Sequence, residues 1–212
     1  MRNKNILLTD AYSLKTPQDS KKFYKNWAST YDKEFVKKTK YLSPLKISFF
    51  FKQHFKKKDS PILDVGAGTG LIGEYLNKKK DKDLIGIDIS AEMLKQAELK
   101  KCYNSLLVVD VTKKIPLKSN SIGAVVSAGT FTHGHVGPQA LDELLRITKP
   151  NGLFVISIKK ELFISEGFKD KFINIKKKIT LPTFNLFSIF GKNNDKKHGN
   201  DKAYVAIFRK KN

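Results

Sequence analysis

The sequence predicts an α/β fold, a three-layer sandwich whose sheet is mostly parallel and covered by helices on both faces. Three observations carry this expectation. From Ser60 onward, short apolar runs alternate with helical patterns, and repeated strand–helix units imply a parallel sheet with right-handed crossovers. The apolar runs are continuous, as expected of strands buried on both sides. Between the first run, Ile62–Val65, and the first helical pattern lies a turn with glycine at 66, 68 and 70. Such a turn lets a ligand approach bare backbone and aims free helix N–H groups at it.

In chain order, residues 1–19 show no clear period and end in Thr16-Pro17, a turn signal. A helix is expected from Ser20, with Ser20 as its cap. Phe23, Trp27, Tyr31 and Phe35 recur four apart on one face. Phe23 and Phe35 read as core; Trp27 and Tyr31 carry polar handles and suit the rim of a binding site. Ser43-Pro44 opens a second helix with a cap and a proline at its first position.

The alternating region then gives strands at Ile62–Val65, Leu84–Ile89, Leu106–Val111, Ile122–Ala128 and Leu153–Ile158. Helices are expected at Leu71–Lys80, Ala91–Lys101 (capped by Ser90) and Pro138–Thr148. After a helix around Phe168–Lys178, two β-type runs, Phe184–Phe190 and Ala203–Phe208, read as an antiparallel hairpin closing the sheet. No linker splits the chain. A single domain over 1–212 is expected, with a helical cover at 1–59, a core at 60–158 and a C-terminal helix and hairpin at 159–212.

The totals agree with one globular domain: 212 residues, 40% hydrophobic. No apolar run approaches the ~20 residues of a membrane span, and the first ten residues hold too short an apolar core for a signal peptide. The single cysteine, Cys102, excludes an internal disulfide; a reducing, cytoplasmic setting fits. The net charge of +21 invites a nucleic-acid reading. Against it, the basic residues are nearly all lysine, with arginine only at 2, 146 and 209, and arginine is the usual bidentate phosphate contact. The lysines are scattered in short runs, as on a solvated surface.

Three acidic residues stand near the C-terminal ends of successive strands: Asp64, Asp88 and Asp110. In open α/β sheets ligands bind at that edge, near the switch in strand order. Asp88 lies roughly twenty residues past the glycine turn, the offset at which an acid meets a ribose hydroxyl pair. Asp110 suits an exocyclic amine. A dinucleotide is disfavoured: Gly68-Thr69-Gly70-Leu71-Ile72-Gly73 matches the dinucleotide pattern two residues late, and the Asp64 carboxylate would repel a pyrophosphate. That carboxylate suits a cationic amine.

Leu63-Asp64-Val65-Gly66-Ala67-Gly68-Thr69-Gly70, Gly86-Ile87-Asp88-Ile89-Ser90, Asp110-Val111 and Lys149-Pro150-Asn151-Gly152-Leu153 resemble the ordered motifs of class I S-adenosylmethionine-dependent methyltransferases. The resemblance implies a Rossmann-like seven-stranded sheet with the last strand antiparallel. It implies S-adenosyl-L-methionine as cofactor, with Asp64, Gly66, Ala67 and Gly68 at its methionine part. Asp88 falls on the ribose, Ile89 and Met93 beside the adenine, Asp110 and Val111 at the adenine edge, and Ala128 along the same cleft. Trp27-Ala28-Ser29-Thr30-Tyr31-Asp32 and the run from Ser127 to Gly137 are similar to the Williams–Beuren-region methyltransferase-like group and its bacterial relatives. In related small-molecule enzymes the Trp-x-x-x-Tyr-Asp segment forms a lid over the cofactor, which implies cofactor and catalytic roles for Tyr31.

The place after the fourth strand reads Ser127-Ala128-Gly129-Thr130-Phe131. It lacks both the Asn/Asp-Pro-Pro-aromatic run of amino-directed enzymes and the Pro-Cys nucleophile of cytosine-carbon enzymes. His133 and His135 follow in the loop where an acceptor would lie and are candidate general bases. A metal reading of His-x-His finds no further ligand cluster. Trp27, Thr130, His133 and His135 are the candidate acceptor contacts. The expected activity is methyl transfer to a small molecule by in-line displacement. RNA or protein methylation guided by the lysine-rich surface, and a non-catalytic cofactor binder, are the alternatives.

Overall fold

The structure, a computed structural model, describes residues 8–14, 16–79, 81–132, 136–191 and 198–212. One seven-stranded sheet forms its middle layer: β1 (Ile62–Val65), β2 (Leu84–Asp88), β3 (Ser105–Val108), β4 (Ile122–Phe131), β5 (Thr148–Lys159), β6 (Thr183–Ser188) and β7 (Lys202–Arg209). Their spatial order is β3-β2-β1-β4-β5-β7-β6. β1 pairs in parallel with both β2 and β4, so the strand order reverses at β1. β7, last in sequence, runs antiparallel to β5 and to β6. The expected hairpin and antiparallel last strand are therefore present.

Alternate strand residues feed two cores, as a pleat buried on both faces requires. Ile62, Ala124, Val126, Leu153 and Val155 pack with Ile47 and Phe51 of α3 (Ser43–His54), Ile72 and Leu76 of α4 (Leu71–Asn77), and Trp27. Leu63, Val65, Val125, Phe154 and Ile156 pack on the other face with Leu141 and Leu144 of α6 (Ala140–Ile147) and Phe168 and Phe172 of α8 (Phe168–Asn174). The third helix of the central units is α5 (Ala91–Leu99), capped as expected by Ser90, whose Oγ accepts from the Met93 N–H.

Several boundaries correct the sequence reading. A short helix, α1 (Leu8–Tyr12), forms where no period was visible. α2 spans Pro17–Trp27, and Thr16, not Ser20, is its cap. The Thr16 Oγ1 accepts from the Asp19 N–H while the Asp19 carboxylate accepts from the Thr16 N–H, a reciprocal capping box with proline at the first position. Ser20 lies buried on the inner face of the helix. Likewise Ser43 is the first residue of α3 and makes no capping bond; Leu42 precedes it at the cap position. A π-helical turn, Asp32–Lys37, carries the chain from α2 toward α3. β3 is a short edge strand that ends at Val108, so Asp110 stands two residues beyond the strand in the following loop. A four-residue helix, α7 (Leu162–Ser165), precedes α8. Among the described residues no helix is long and apolar enough to cross a membrane.

Candidate functional site

A cleft of about 930 Å³, its open mouth included, lies at the C-terminal edge of β1, β2 and β4, lined on the cover side by Ser20 and Tyr24 of α2 and by Tyr31. Its floor is the glycine turn. Gly66, Gly68 and Gly70 all have positive φ (68°, 55°, 86°), a backbone region that favours glycine. The Gly66 and Ala67 N–H groups donate to Ile87 O at 2.9 and 3.0 Å, and a Cβ on Gly66 would stand 2.0 Å from Thr130 Oγ1. The turn is thus pressed between the ends of β2 and β4, with its open side toward the cleft.

Asp64 is fully buried at the end of β1. Its Oδ2 accepts from the Tyr103 hydroxyl at 2.7 Å, while its Oδ1 has no partner among the described residues. Burial raises its pKa to about 7; the Tyr103 hydrogen bond opposes this and neighbouring Asp88 adds to it. The Tyr103 hydroxyl in turn accepts from the Gly73 N–H at 3.1 Å. Asp88, at the end of β2, uses one lone pair on each oxygen to hold backbone: Gly68 N–H to Oδ2 and Ser90 N–H to Oδ1, both at 2.9 Å. Burial pushes its pKa up, and the Ser90 and Gly68 bonds pull it back. Each carboxylate oxygen keeps acceptor capacity for a ligand. Asp110 accepts from Thr112 N and Oγ1 at 3.0 and 2.6 Å through Oδ1. Ile89, Met93, Val109 and Val111 supply an apolar wall beside these acids.

The expected cofactor residues Tyr31, Asp64, Gly66, Ala67, Gly68, Asp88, Ile89, Met93, Asp110, Val111 and Ala128 all line this one cleft, and so does Thr130. Thr130 Oγ1 donates to Val65 O at 2.9 Å, so it ties β4 to β1. Trp27 is elsewhere. It is no solvent-exposed rim: it is 2% exposed, packed edge-on against Phe23 and Tyr31, and it lines a second cavity behind the first. His133 and His135 lie outside the described residues. Their described neighbours bracket the two spaces, Thr132 lining the second cavity and Val136 the cleft.

Sequence reading missed several residues. Tyr24 and Tyr41 wall the cleft beside Tyr31; Tyr24 was visible as the position three before Trp27 on the same helical face. Burial raises all three phenols, Tyr41 to about 12. Tyr103 belongs to no motif and carried no signal. Asp32 closes the cover onto the core: its Oδ1 accepts from Thr69 Oγ1 at 2.6 Å and its Oδ2 from Lys100 Nζ at 2.7 Å, with Glu74 also 2.7 Å from that ammonium.

The cleft suits an amino-acid nucleoside. An orphaned buried carboxylate oxygen on Asp64 answers a cationic amine, a glycine turn leaves bare backbone beside it, and an acid at the end of β2 stands next to an apolar wall. Comparison with known proteins points the same way. A family model described as "Methyltransferase domain" matches residues 63–156. An uncharacterised protein of Methanocaldococcus jannaschii is 31% identical over 66% of this chain and 59% of its own length. Human methyltransferase-like protein 27 is 31% identical over 65% of this chain and 56% of its own length. The chain therefore spans somewhat over half the length of these relatives. In fold it is similar to an S-adenosylmethionine-dependent methyltransferase of Thermotoga maritima, with a TM-score of 0.61, 14% identity, and 89% and 98% of the two chains covered. With motifs, cleft and matched domain coinciding on the same strands, residues 63–156 form a methyltransferase domain, and its motifs are those of the S-adenosylmethionine-dependent kind.

Proposed function

We propose that this chain is a methyltransferase that moves the methyl group of S-adenosylmethionine to a small-molecule acceptor. When bound, S-adenosylmethionine supplies an electrophilic methyl on a sulfonium: the C–S bond breaks, a bond to the acceptor forms, and sulfur keeps the electron pair. The acceptor gives up a proton where it carries one. The observation that carries the reading is the buried, unpartnered Oδ1 of Asp64 beside the positive-φ glycine turn.

In this reading Asp64 receives the cationic amine, and the turn Gly66–Gly68 receives the methionine part against bare backbone. Asp88 receives the ribose hydroxyls while holding Gly68 and Ser90 in place. Asp110 meets the adenine edge, with Ile89, Met93 and Val111 as its apolar walls. Tyr31 and Ala128 face the same space from the cover and from β4. The work of such a site is chiefly positioning, by holding two reactants in line, and the cover excludes water from it. His133 or His135 takes the acceptor's proton, a role suited to histidine near neutral pH.

A small acceptor is favoured over a macromolecule because the cleft is roofed. Tyr24, Tyr31 and Tyr41 close over it from the cover, and Asp32 fastens that cover to the glycine turn through Thr69. An extended nucleic acid needs an open basic groove. The test is titration calorimetry with S-adenosylhomocysteine, followed by a screen of phenols, amines, thiols and carboxylates read by cofactor demethylation. Submicromolar to micromolar cofactor binding that Asp88→Ala abolishes in a folded protein is the expected result. Unchanged affinity in that variant, or turnover on RNA in preference to every small acceptor, would overturn the reading.

A further inference from the structure

The second cavity, of about 540 Å³ with its open mouth included, lies between α1, α2, the π-helical turn and the ends of β4 and β5. It meets the cofactor cleft on four shared residues, Tyr24, Tyr31, Tyr41 and Gly129. At Gly129 the chain turns with φ +79°, and a Cβ there would stand 2.3 Å from the Tyr41 hydroxyl. The register of β4 against β5 slips across this point. The partition between the two spaces is thus one backbone turn and a few phenol rings.

The far walls are apolar and mostly aromatic: Phe35, Phe131, Ile189 and Phe190. The lining also carries the side chains of Tyr12, Ser43, Thr132 and Ser157, and two further polar groups bear on what the cavity takes. One is Lys159, 6% exposed, whose ammonium lies 3.1 Å from Asp201 and 3.7 Å from the ring centre of Tyr12. Its charge is matched by protein. The other is Trp27, 2% exposed, whose indole N–H has no acceptor among the described residues. A buried donor without a partner is rare and calls for a reason beyond packing. Among the described residues that line this cavity, the indole N–H is the buried polar side-chain atom without a partner, and the Lys159 ammonium is paired with Asp201.

Resting on the methyl-transfer reading above, we infer that this second cavity is the acceptor pocket and takes a single aromatic ring bearing a neutral oxygen acceptor, which the Trp27 indole N–H receives. The flat walls match the faces of such a ring, where stacked and edge-on contacts add to burial. The pairing of Lys159 with Asp201 disfavours an added anion, because a carboxylate would compete with Asp201 for the same ammonium. The ring's nucleophilic substituent then faces Gly129 and Tyr41, where the two spaces meet.

Trp27 is the only tryptophan, so ¹⁵N-labelled full-length protein gives a single indole N–H signal that reports this cavity alone. We would titrate it with acetophenone, with ethylbenzene (the same shape without the oxygen) and with benzoate. The expected result is a downfield move of the indole proton with acetophenone only, and affinity for acetophenone roughly fivefold or more above that for ethylbenzene, the ratio a neutral hydrogen bond supports. Trp27→Phe removes that preference. Equal affinities with no downfield move would overturn the inference, as would benzoate binding more tightly than acetophenone, which would make Lys159 the reader. S-adenosylhomocysteine binding on the same sample tests the donor reading separately: if it binds and the rings do not, only the acceptor pocket fails.

Discussion

The Tyr103 hydroxyl donates to Asp64 Oδ2 at 2.7 Å and accepts from the Gly73 N–H at 3.1 Å, so one phenol joins the end of β1 to the helix that follows the glycine turn. The sign of its effect is definite. Burial holds the Asp64 pKa near 7, well above the ordinary 3.8. In the ligand-free protein this group's stabilising contribution is complete below about pH 4 and is lost as pH rises through about 7. A cationic ligand favours the ionised form, so its affinity should climb through about pH 7 and level off above. Tyr103→Phe removes a donor to the carboxylate and should move that midpoint upward, at a stability cost of about 1–3 kcal/mol. Calorimetry with S-adenosylhomocysteine from pH 5.5 to 8.5 reads the midpoint. A flat profile in the parent protein would show that Asp64 is not the ionising contact.

Asp64→Asn separates charge from shape. The amide can still accept from Tyr103 but carries no buried charge. At pH 8, where the parent must keep Asp64 ionised without a counter-charge, the variant should be at least as stable to urea as the parent. Its affinity for the amine-bearing ligand should fall tenfold or more, the loss of about 1.4 kcal/mol or more. Loss of stability without loss of affinity would assign Asp64 to the fold and remove it from the site.

The parts of this site that a reader of the sequence could find are those set by local geometry. Strand, glycine turn and the acid at the next strand end follow one another at fixed offsets, so Asp64, Gly66, Gly68 and Asp88 were identifiable before any fold was drawn. Tyr103 was not, because it reaches Asp64 across 39 residues of chain from a loop with no motif. Trp27 was legible as an aromatic on a helical stripe, yet whether it stood at a solvent-exposed rim or was buried beside an inner cavity depended on residues of α1 and β5, distant in sequence, that line the same space. Thr16-Pro17 read as a turn because the reciprocal bond to Asp19 shows only once the helix is known to start there. Asp110 was placed on a strand that stops two residues short, since β3 is an exposed edge with pairing on one side only.

Two glycines of the turn should fail differently. At Gly66 a methyl group would meet Thr130 Oγ1 at 2.0 Å, in a backbone region L-residues rarely adopt. Gly66→Ala should therefore unfold the protein more readily, with strain of about 1–3 kcal/mol from the backbone alone. At Gly68 the nearest atom to a methyl group is Gly66 O at 4.0 Å, in a residue that lines the cleft. Gly68→Ala should cost only about 1–2 kcal/mol of stability and weaken S-adenosylhomocysteine binding out of proportion to that loss. Thermal melts with and without ligand distinguish the two: full ligand-induced stabilisation of the Gly68→Ala protein would mean that the turn's open side is not where the ligand lies.

Asp32 fixes the cover to the glycine turn and to α5 through Thr69 and Lys100, with Glu74 completing the ion-pair group. Its side chain is about a third exposed (37%), so the pair contributes modestly to global stability, about 1 kcal/mol or less. The larger effect is local. Ser20 and Tyr24 of α2 and Tyr31, just before the π-helical turn, line the cleft from the cover, and among the described residues the Asp32–Thr69 bond ties this cover to the turn below. In Asp32→Asn the amide keeps one oxygen for either Thr69 or Lys100 and loses the charge. Amide exchange should then accelerate in α2 and the π-helical turn while the sheet amides stay as slow as in the parent. Cofactor dissociation should quicken with little change in the association rate, since an intact cover acts on the bound state. Hydrogen exchange by mass spectrometry and stopped-flow dissociation of S-adenosylhomocysteine measure the two. Unchanged exchange in the cover together with an unchanged off-rate would mean that Asp32 is a surface ion pair and that the cover is held by its aromatic packing alone.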